Sequence, residues 1–291
     1  MDGALKQYLQ EVLSRYFNEN VIVHFHKQVY GGDINQTFIL QCNKQSFFLK
    51  LNDSSKQDMF EKEFNGLKLL ASAKAIHVPQ PYLHGHFNNT IYLLMEHLKA
   101  GEAGSDFWKD FGYQLAALHK TSNTHFGLEE DNYIGSLPQQ NNYGNNWAEF
   151  YTTQHILPLI QMALKQGKCS ESDVALAENV CNRFKDIFPT EPPALLHGDL
   201  WGGNYMVTAN GKAAIYDPAV YYGHREMDIA MTKLFGGFDN ALYHYYNEAY
   251  PLEKGWQQRM DLCQLYPLLV HLILFGGHYY DNVKDILSAY Q

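Results

Sequence analysis

The run Leu195-Leu196-His197-Gly198-Asp199-Leu200-Trp201-Gly202-Gly203-Asn204, followed by Ala213-Ala214-Ile215-Tyr216-Asp217-Pro218, constrains this chain more than any other stretch. An acid and a carboxamide share one polar loop after an apolar run, and a second acid closes a short apolar strand. Phosphoryl transfer to an alcohol needs that set: Asp199 to accept the hydroxyl proton, and Asn204 and Asp217 to reach a magnesium ion bridging nucleotide phosphates. Taken singly, Asp199 is a turn residue and Asn204 a cap; taken jointly after an apolar run, they are the centre of a kinase. Protein kinases carry an arginine before the base and Phe-Gly after the metal-binding acid, whereas Gly198 and Pro218-Ala219 stand there in this chain. A small molecule or a modified side chain is thereby favoured as acceptor over a docked Ser or Tyr peptide.

Patterning around this centre predicts an α+β chain in two lobes. Leu5, Leu9, Val12, Leu13, Tyr16 and Phe17 recur at helical spacing. Residues 21–30, 37–42 and 46–51 then read as a meander of strands, residues 57–72 as a helix, and residues 82–86 and 90–95 as two more strands. Strands with one helix make a small lobe, expected over residues 1–97. From residue 98 to 291 helical patterns dominate, at 106–120, 147–165, 172–188, 227–235, 239–250, 257–274 and 282–289. The polar run from Gln139 to Asn146 reads as a loop and a candidate wall of the active site.

With 291 residues, 46% of them hydrophobic, the chain can bury a large core. Its formal charge of -9 opposes a broad phosphate-binding surface, which excludes nucleic acid as the expected partner. Four cysteines, Cys42, Cys169, Cys181 and Cys263, lie far apart without a C-x-x-C pair, the usage of a reducing compartment, so the cytoplasm is expected. No stretch is long and apolar enough to span a membrane, and the first residues lack a secretory pattern. Nothing in the sequence specifies an oligomeric state.

If the small lobe covers ATP, a strand must present a lysine to the phosphates and the following helix its carboxylate partner. Lys50 in Phe47-Phe48-Leu49-Lys50-Leu51 and Glu63 fill those places, with Glu61 as the competitor; Glu63 is preferred because it lies beside the apolar stripe of Phe60, Phe64 and Leu67. Gly31 and Gly32 sit between two strands, where backbone N–H groups can approach phosphate oxygens, although Gly-Gly is equally a hairpin turn. The backbone of Glu96-His97-Leu98, where the lobes join, is placed to pair with adenine. His24 with His26, and His84 with His86, share strand faces, but no third ligand completes a metal set. His197 reads as a brace for the catalytic loop. Asp228 reads either as an acid reaching back to catalytic-loop amides or as an N-terminal helix charge.

The chain resembles the fructosamine kinase (ketosamine-3-kinase) family of the aminoglycoside phosphotransferase-like superfamily over nearly its whole length. The marks are residues 197–204, Asp217-Pro218-Ala219, Tyr222-Gly223-His224-Arg225-Glu226, and upstream Asp131-Asn132-Tyr133-Ile134-Gly135, Pro138-Gln139, Asn141 and Trp147-Ala148-Glu149-Phe150-Tyr151. The resemblance implies a two-lobed protein-kinase-like fold and transfer of the ATP γ-phosphate to the 3-hydroxyl of a ketosamine, free or protein-bound. The product ester then releases its amine. It implies Asp199 as base, Asn204 and Asp217 as Mg2+ ligands, Lys50 with Glu63 as the phosphate-positioning pair, and Trp201 packed against the sugar. Many relatives carry cysteine where this chain has Asp33, arginine where it has His155 and threonine where it has Leu137. The competing readings are a kinase for another alcohol, such as an aminoglycoside or choline, and a pseudokinase that binds nucleotide without turnover.

Overall fold

The computed structural model describes residues 1–29, 35–43, 45–56 and 58–291. An opening helix, α1 (Gly3–Phe17), is capped by Asp2, whose side chain accepts from Leu5 N at 2.7 Å. Five strands follow, β1 (Val23–Val29), β2 (Gln36–Cys42), β3 (Ser46–Asp53), β4 (Pro81–Phe87) and β5 (Thr90–Glu96), with helix α2 (Met59–Ser72) between β3 and β4. The antiparallel order is β1-β2-β3-β5-β4. The expected meander holds for the first three strands; β5 then inserts beside β3 and leaves β4 at the edge. Alternation along β3 and β5 divides two environments. Phe47, Leu49, Tyr92 and Leu94 bury against Leu5, Leu9 and Leu13 of α1, while Leu93 and Met95 join the core under α2. Phe48 and Lys50, on the second face, look into a cleft.

The remainder is mainly helical: α3 (Phe107–His119), α4 (Trp147–Phe150), α5 (Leu157–Lys165), α6 (Glu171–Asn182), α7 (Phe184–Ile187), α8 (Glu226–Leu234), α9 (Asn240–Ala249), α10 (Trp256–Phe275) and α11 (Tyr279–Ala289). α10 is apolar on nearly every face and accordingly runs through the middle, with buried residues from Arg259 to Ile273. The helix expected over 147–165 is interrupted by a π-helical turn, Tyr151–Ile156, before Pro158, and the one expected over 172–188 breaks at Arg183. Among the described residues six three-residue strands pair up as well: β6 (Asn132–Ile134) with β7 (Leu137–Gln139), β8 (Ala194–Leu196) with β11 (Tyr221–Gly223), and β9 (Tyr205–Val207) with β10 (Ala213–Ile215). Of these only β10 is legible in the sequence, since three residues are too few to show a period of two. No helix among the described residues is long and apolar enough to cross a membrane.

Candidate active site

Two nested ladders place the chemistry. The outer pair β8/β11 and the inner pair β9/β10 force the connections between them, residues 197–204 and 216–220, to run side by side. Ala219 N–H donates to His197 O (2.9 Å) and Tyr216 N–H to Asn204 O (3.0 Å). Gly198 has φ +83°, and a Cβ there would lie 2.0 Å from Ala219 O, so the closeness of the two connections requires glycine before the acid. Asp217 holds the left-handed region at φ +58° without being glycine, a conformation sparse outside turns and functional sites.

Asp199 is half-buried on the cleft floor. Asn204 Nδ2 donates to its backbone O (2.8 Å) and to its Oδ2 (3.0 Å), which fixes the carboxylate and leaves the Asn204 oxygen as the group to offer a cation. Burial, and secondarily the charge of Asp217, push the Asp199 carboxyl up to about 7. From the sheet, Lys50 Nζ reaches Glu63 Oε1 at 2.6 Å and pairs with Asp217 Oδ1 as well. Burial alone would lower the Lys50 ammonium, but the flanking Asp217 and Glu63 carboxylates outweigh it and hold its proton firmly. Burial raises the Glu63 carboxyl and Lys50 opposes that rise. The competitor Glu61 is exposed on the far side of α2. An oxygen-seeking divalent cation fits the Asp217 carboxylate and the Asn204 amide oxygen, and the Lys50 ammonium suits phosphate oxygens.

The cleft between sheet and helices holds about 700 Å³ and is lined by Lys50, Glu63, Glu96, Leu98, Asp199, Trp201, Asn204 and Asp217 among others. The structure therefore brings together every site residue expected from the sequence except Gly31 and Gly32, which with Asp33 lie outside the described residues. Glu96 N–H donates to Gln80 O (2.8 Å), and His97 Nδ1 meets Ser46 Oγ at 2.8 Å, which pins this connection to the sheet. Trp201 is 39% exposed and its ring covers Gly203, where a Cβ would stand 2.3 Å from it.

The fructosamine kinase family model matches residues 5–290. The chain belongs to this family. A probable ketoamine kinase of Synechocystis sp. is 37% identical over 283 residues, 97% of this chain and 95% of that protein. The chloroplastic protein-ribulosamine 3-kinase of Arabidopsis thaliana is 35% identical over 89% of this chain and 80% of its own length. A crystal structure of a provisionally assigned fructosamine-3-kinase from Haemophilus somnus matches with TM-score 0.89 at 28% identity, covering 97% of this chain and 96% of the other. An aminoglycoside phosphotransferase, 16% identical with TM-score 0.60 over 98% and 99% of the two chains, shares the two-lobed protein-kinase-like fold.

Within this member of the fructosamine kinase family, the segment flanking the cleft differs from the expected one. Residues 132–135 form the wall, whereas Gln139 and Asn141, from the polar run proposed for that role, are buried behind it. Gln139 Nε2 donates to Ala219 O (3.0 Å) and Asn132 Nδ2 to Val220 O (2.7 Å), so these amides support the chain just past Asp217. Tyr133 Oη donates to Asp58 (2.5 Å) and Lys62 Nζ to Glu130 (2.6 Å), tying α2 to this hairpin. His155, where many relatives carry arginine, is fully buried and stacked on Tyr266 at 4.2 Å, away from the cleft lining; Leu137 packs against the same core. His197 is the expected brace: its ring Nε2–H donates to Tyr216 O (3.0 Å) and its Nδ1 accepts from Asp199 N–H (3.3 Å). Asp228 takes the first of its two readings, accepting from His197 N–H (2.7 Å) and Gly198 N–H (2.9 Å). Its third partner, His119 Nε2 at 3.1 Å, carried no sequence signal, since a histidine on an apolar helix is ordinary. His26 meets Phe38 and His84 packs on Phe64, and no cluster of three metal-ligating side chains occurs among the described residues.

Proposed function

We propose that this protein is an ATP-dependent kinase that phosphorylates the 3-hydroxyl of ketosamines, the sugar adducts of amines, and so initiates their removal. The observation that carries this reading is Asp199, held by Asn204 beside Asp217 and Lys50 at the floor of one cleft, in a chain of the fructosamine kinase family. Asp199 takes the proton of the sugar hydroxyl as its oxygen bonds to the γ-phosphorus and the bond from that phosphorus to ADP breaks. Asn204 and Asp217 would hold Mg2+, which when bound neutralises charge on the phosphates. Lys50, steadied by Glu63, positions phosphate oxygens. The Glu96 N–H is spent on Gln80, so the Glu96 carbonyl and the Leu98 N–H are the groups to meet the adenine edge, and residues 1–97 act as the nucleotide lobe against 98–291. Gly31 and Gly32 take the phosphate-approaching role that their sequence position suggests. Trp201 offers an indole face to the C–H groups of the sugar. Fructosamine and ribulosamine adducts, on small amines or protein lysines, are the acceptor class, and the spaced, unpaired cysteines suit a reducing cytoplasm.

The test is magnesium-dependent ATP consumption with matched fructosamine and ribulosamine substrates, with the phosphate position read by phosphorus NMR. Transfer to the 3-hydroxyl that falls by about a thousandfold in Asp199→Asn, with ATP affinity retained, is expected. Absence of transfer despite ATP binding, or full turnover by Asp199→Asn, overturns the assignment.

A further inference from the structure

Six large hydrophobic side chains stand exposed among the described residues, and three of them, Trp201, Phe235 and Phe275, gather at the mouth of the catalytic cleft with 39%, 41% and 59% of their surface open. They form one aromatic run through His271. Trp201 meets Phe235 edge-on at 6.2 Å between ring centroids, Phe235 meets His271 at 4.8 Å, and His271 meets Phe275 at 5.5 Å. The His271 ring is fixed by Nδ1–H donating to Pro267 O (2.7 Å), and burial holds its pKa below the ordinary value, so it presents a neutral face. Trp201, His271 and Phe275 also line the cleft that contains Asp199, so the exposed run is continuous with the reaction site. Grouped aromatic surface left open in this way marks a binding face.

We propose that this run is the subsite for the amine-side substituent of the acceptor and that it selects aromatic or apolar groups there. The proposal rests on the ketosamine reading. In a ketosamine whose 3-hydroxyl faces Asp199, the nitrogen sits on C1, two carbons from the reacting position, so whatever the amine carries leaves the sugar beside Trp201. The secondary amine is an ammonium at neutral pH, and ring faces attract cations. Beyond it, Val270 and Leu274 of α10 extend the wall with apolar surface and no formal charge.

The experiment compares fructosyl and ribulosyl adducts of 2-phenylethylamine with those of ethylamine, which differ only in the phenyl ring. Wild type is expected to favour the phenyl adduct by about tenfold in kcat/KM, through KM, and the ratio should fall towards one in Phe275→Ala and Phe235→Ala. Phe275→Leu, which keeps apolar bulk, should retain part of it, and thermal unfolding of each variant checks the fold. Equal kcat/KM for both adducts in wild type, or a ratio untouched by all three substitutions, overturns the subsite while leaving the ketosamine reading standing. Failure to phosphorylate either adduct overturns both.

Discussion

Asp228 lies at the start of α8, yet its carboxylate serves the catalytic loop of another element. It accepts from two consecutive amides, His197 and Gly198, and from the ring of His119, and these donors outweigh burial to hold its carboxyl below the usual range. An asparagine has one acceptor oxygen where the loop presents two N–H groups, so Asp228→Asn strands a buried donor. The expected cost is about 2–3 kcal/mol in urea denaturation, with kcat reduced and KM for ATP little changed. A variant of full stability and full kcat would remove Asp228 from the role of positioning residue. The sequence offered this residue with two readings, because an acid at a helix N-terminus suits the dipole wherever its side chain turns.

Between elements, α8 and α10 are joined by a buried ion pair. Arg259 donates to Glu226 through Nε (2.8 Å) and Nη2 (2.5 Å), and Glu226 is wholly inaccessible to solvent. Beside it Arg225 forms the same bidentate fork with Glu191 (2.8 and 2.5 Å) and lies 3.7 Å over the Tyr250 ring. The family mark His224-Arg225-Glu226 is thus a clamp that fixes the start of α8, and with it Asp228, rather than a substrate contact. Arg259→Met leaves the Glu226 charge buried without a partner and should cost about 3–5 kcal/mol, whereas Arg259→Met with Glu226→Leu should recover most of it. Equal loss in the single and double variants would show that packing, not charge, holds the two helices. Arg259 itself gave no sequence signal, since an arginine near the N-terminus of a helix says nothing about which acid it will meet.

For the whole molecule, stability on acidification reads out how completely the core is sealed. His155 sits among Phe150, Tyr221 and Tyr266, and neither ring nitrogen has a well-formed partner, though the Gln140 backbone gives slight support. Burial pushes its pKa down from 6.5 to about 3. Between those values the unfolded chain binds the proton that the folded chain refuses, so this contribution is intact above pH 6.5 and is lost as pH falls, at up to about 1.4 kcal/mol per unit. His197 and His224 shift in the same direction, also through burial, and add to the slope. Denaturant midpoints followed from pH 7 to 5 should therefore fall more steeply for wild type than for His155→Phe. Parallel slopes would mean that His155 takes up its proton inside the fold.

The order of the chemistry was written in the chain: an acid, a carboxamide and a second acid at spacings set by one loop and one hairpin, with Lys50 on a strand recognisable as a short aromatic and apolar run after a turn. Local backbone geometry suffices there, because residues a few positions apart on a loop or strand have few places to go. Gly198 marked only the absence of the protein-kinase arginine in the sequence; that a side chain there would strike Ala219 O emerged from the fold. Tertiary structure alone decided what met that loop from far along the chain: Asp228 and His119 beneath it, Gln139 and Asn132 behind Ala219, and α10 with Phe275 at its mouth. It likewise sent His155 into the core, since a polar residue on an apolar helix face carries no mark of which side will be sealed. Contacts between distant segments depend on how whole faces pack, and packing is a property of the assembled lobes that no local pattern contains.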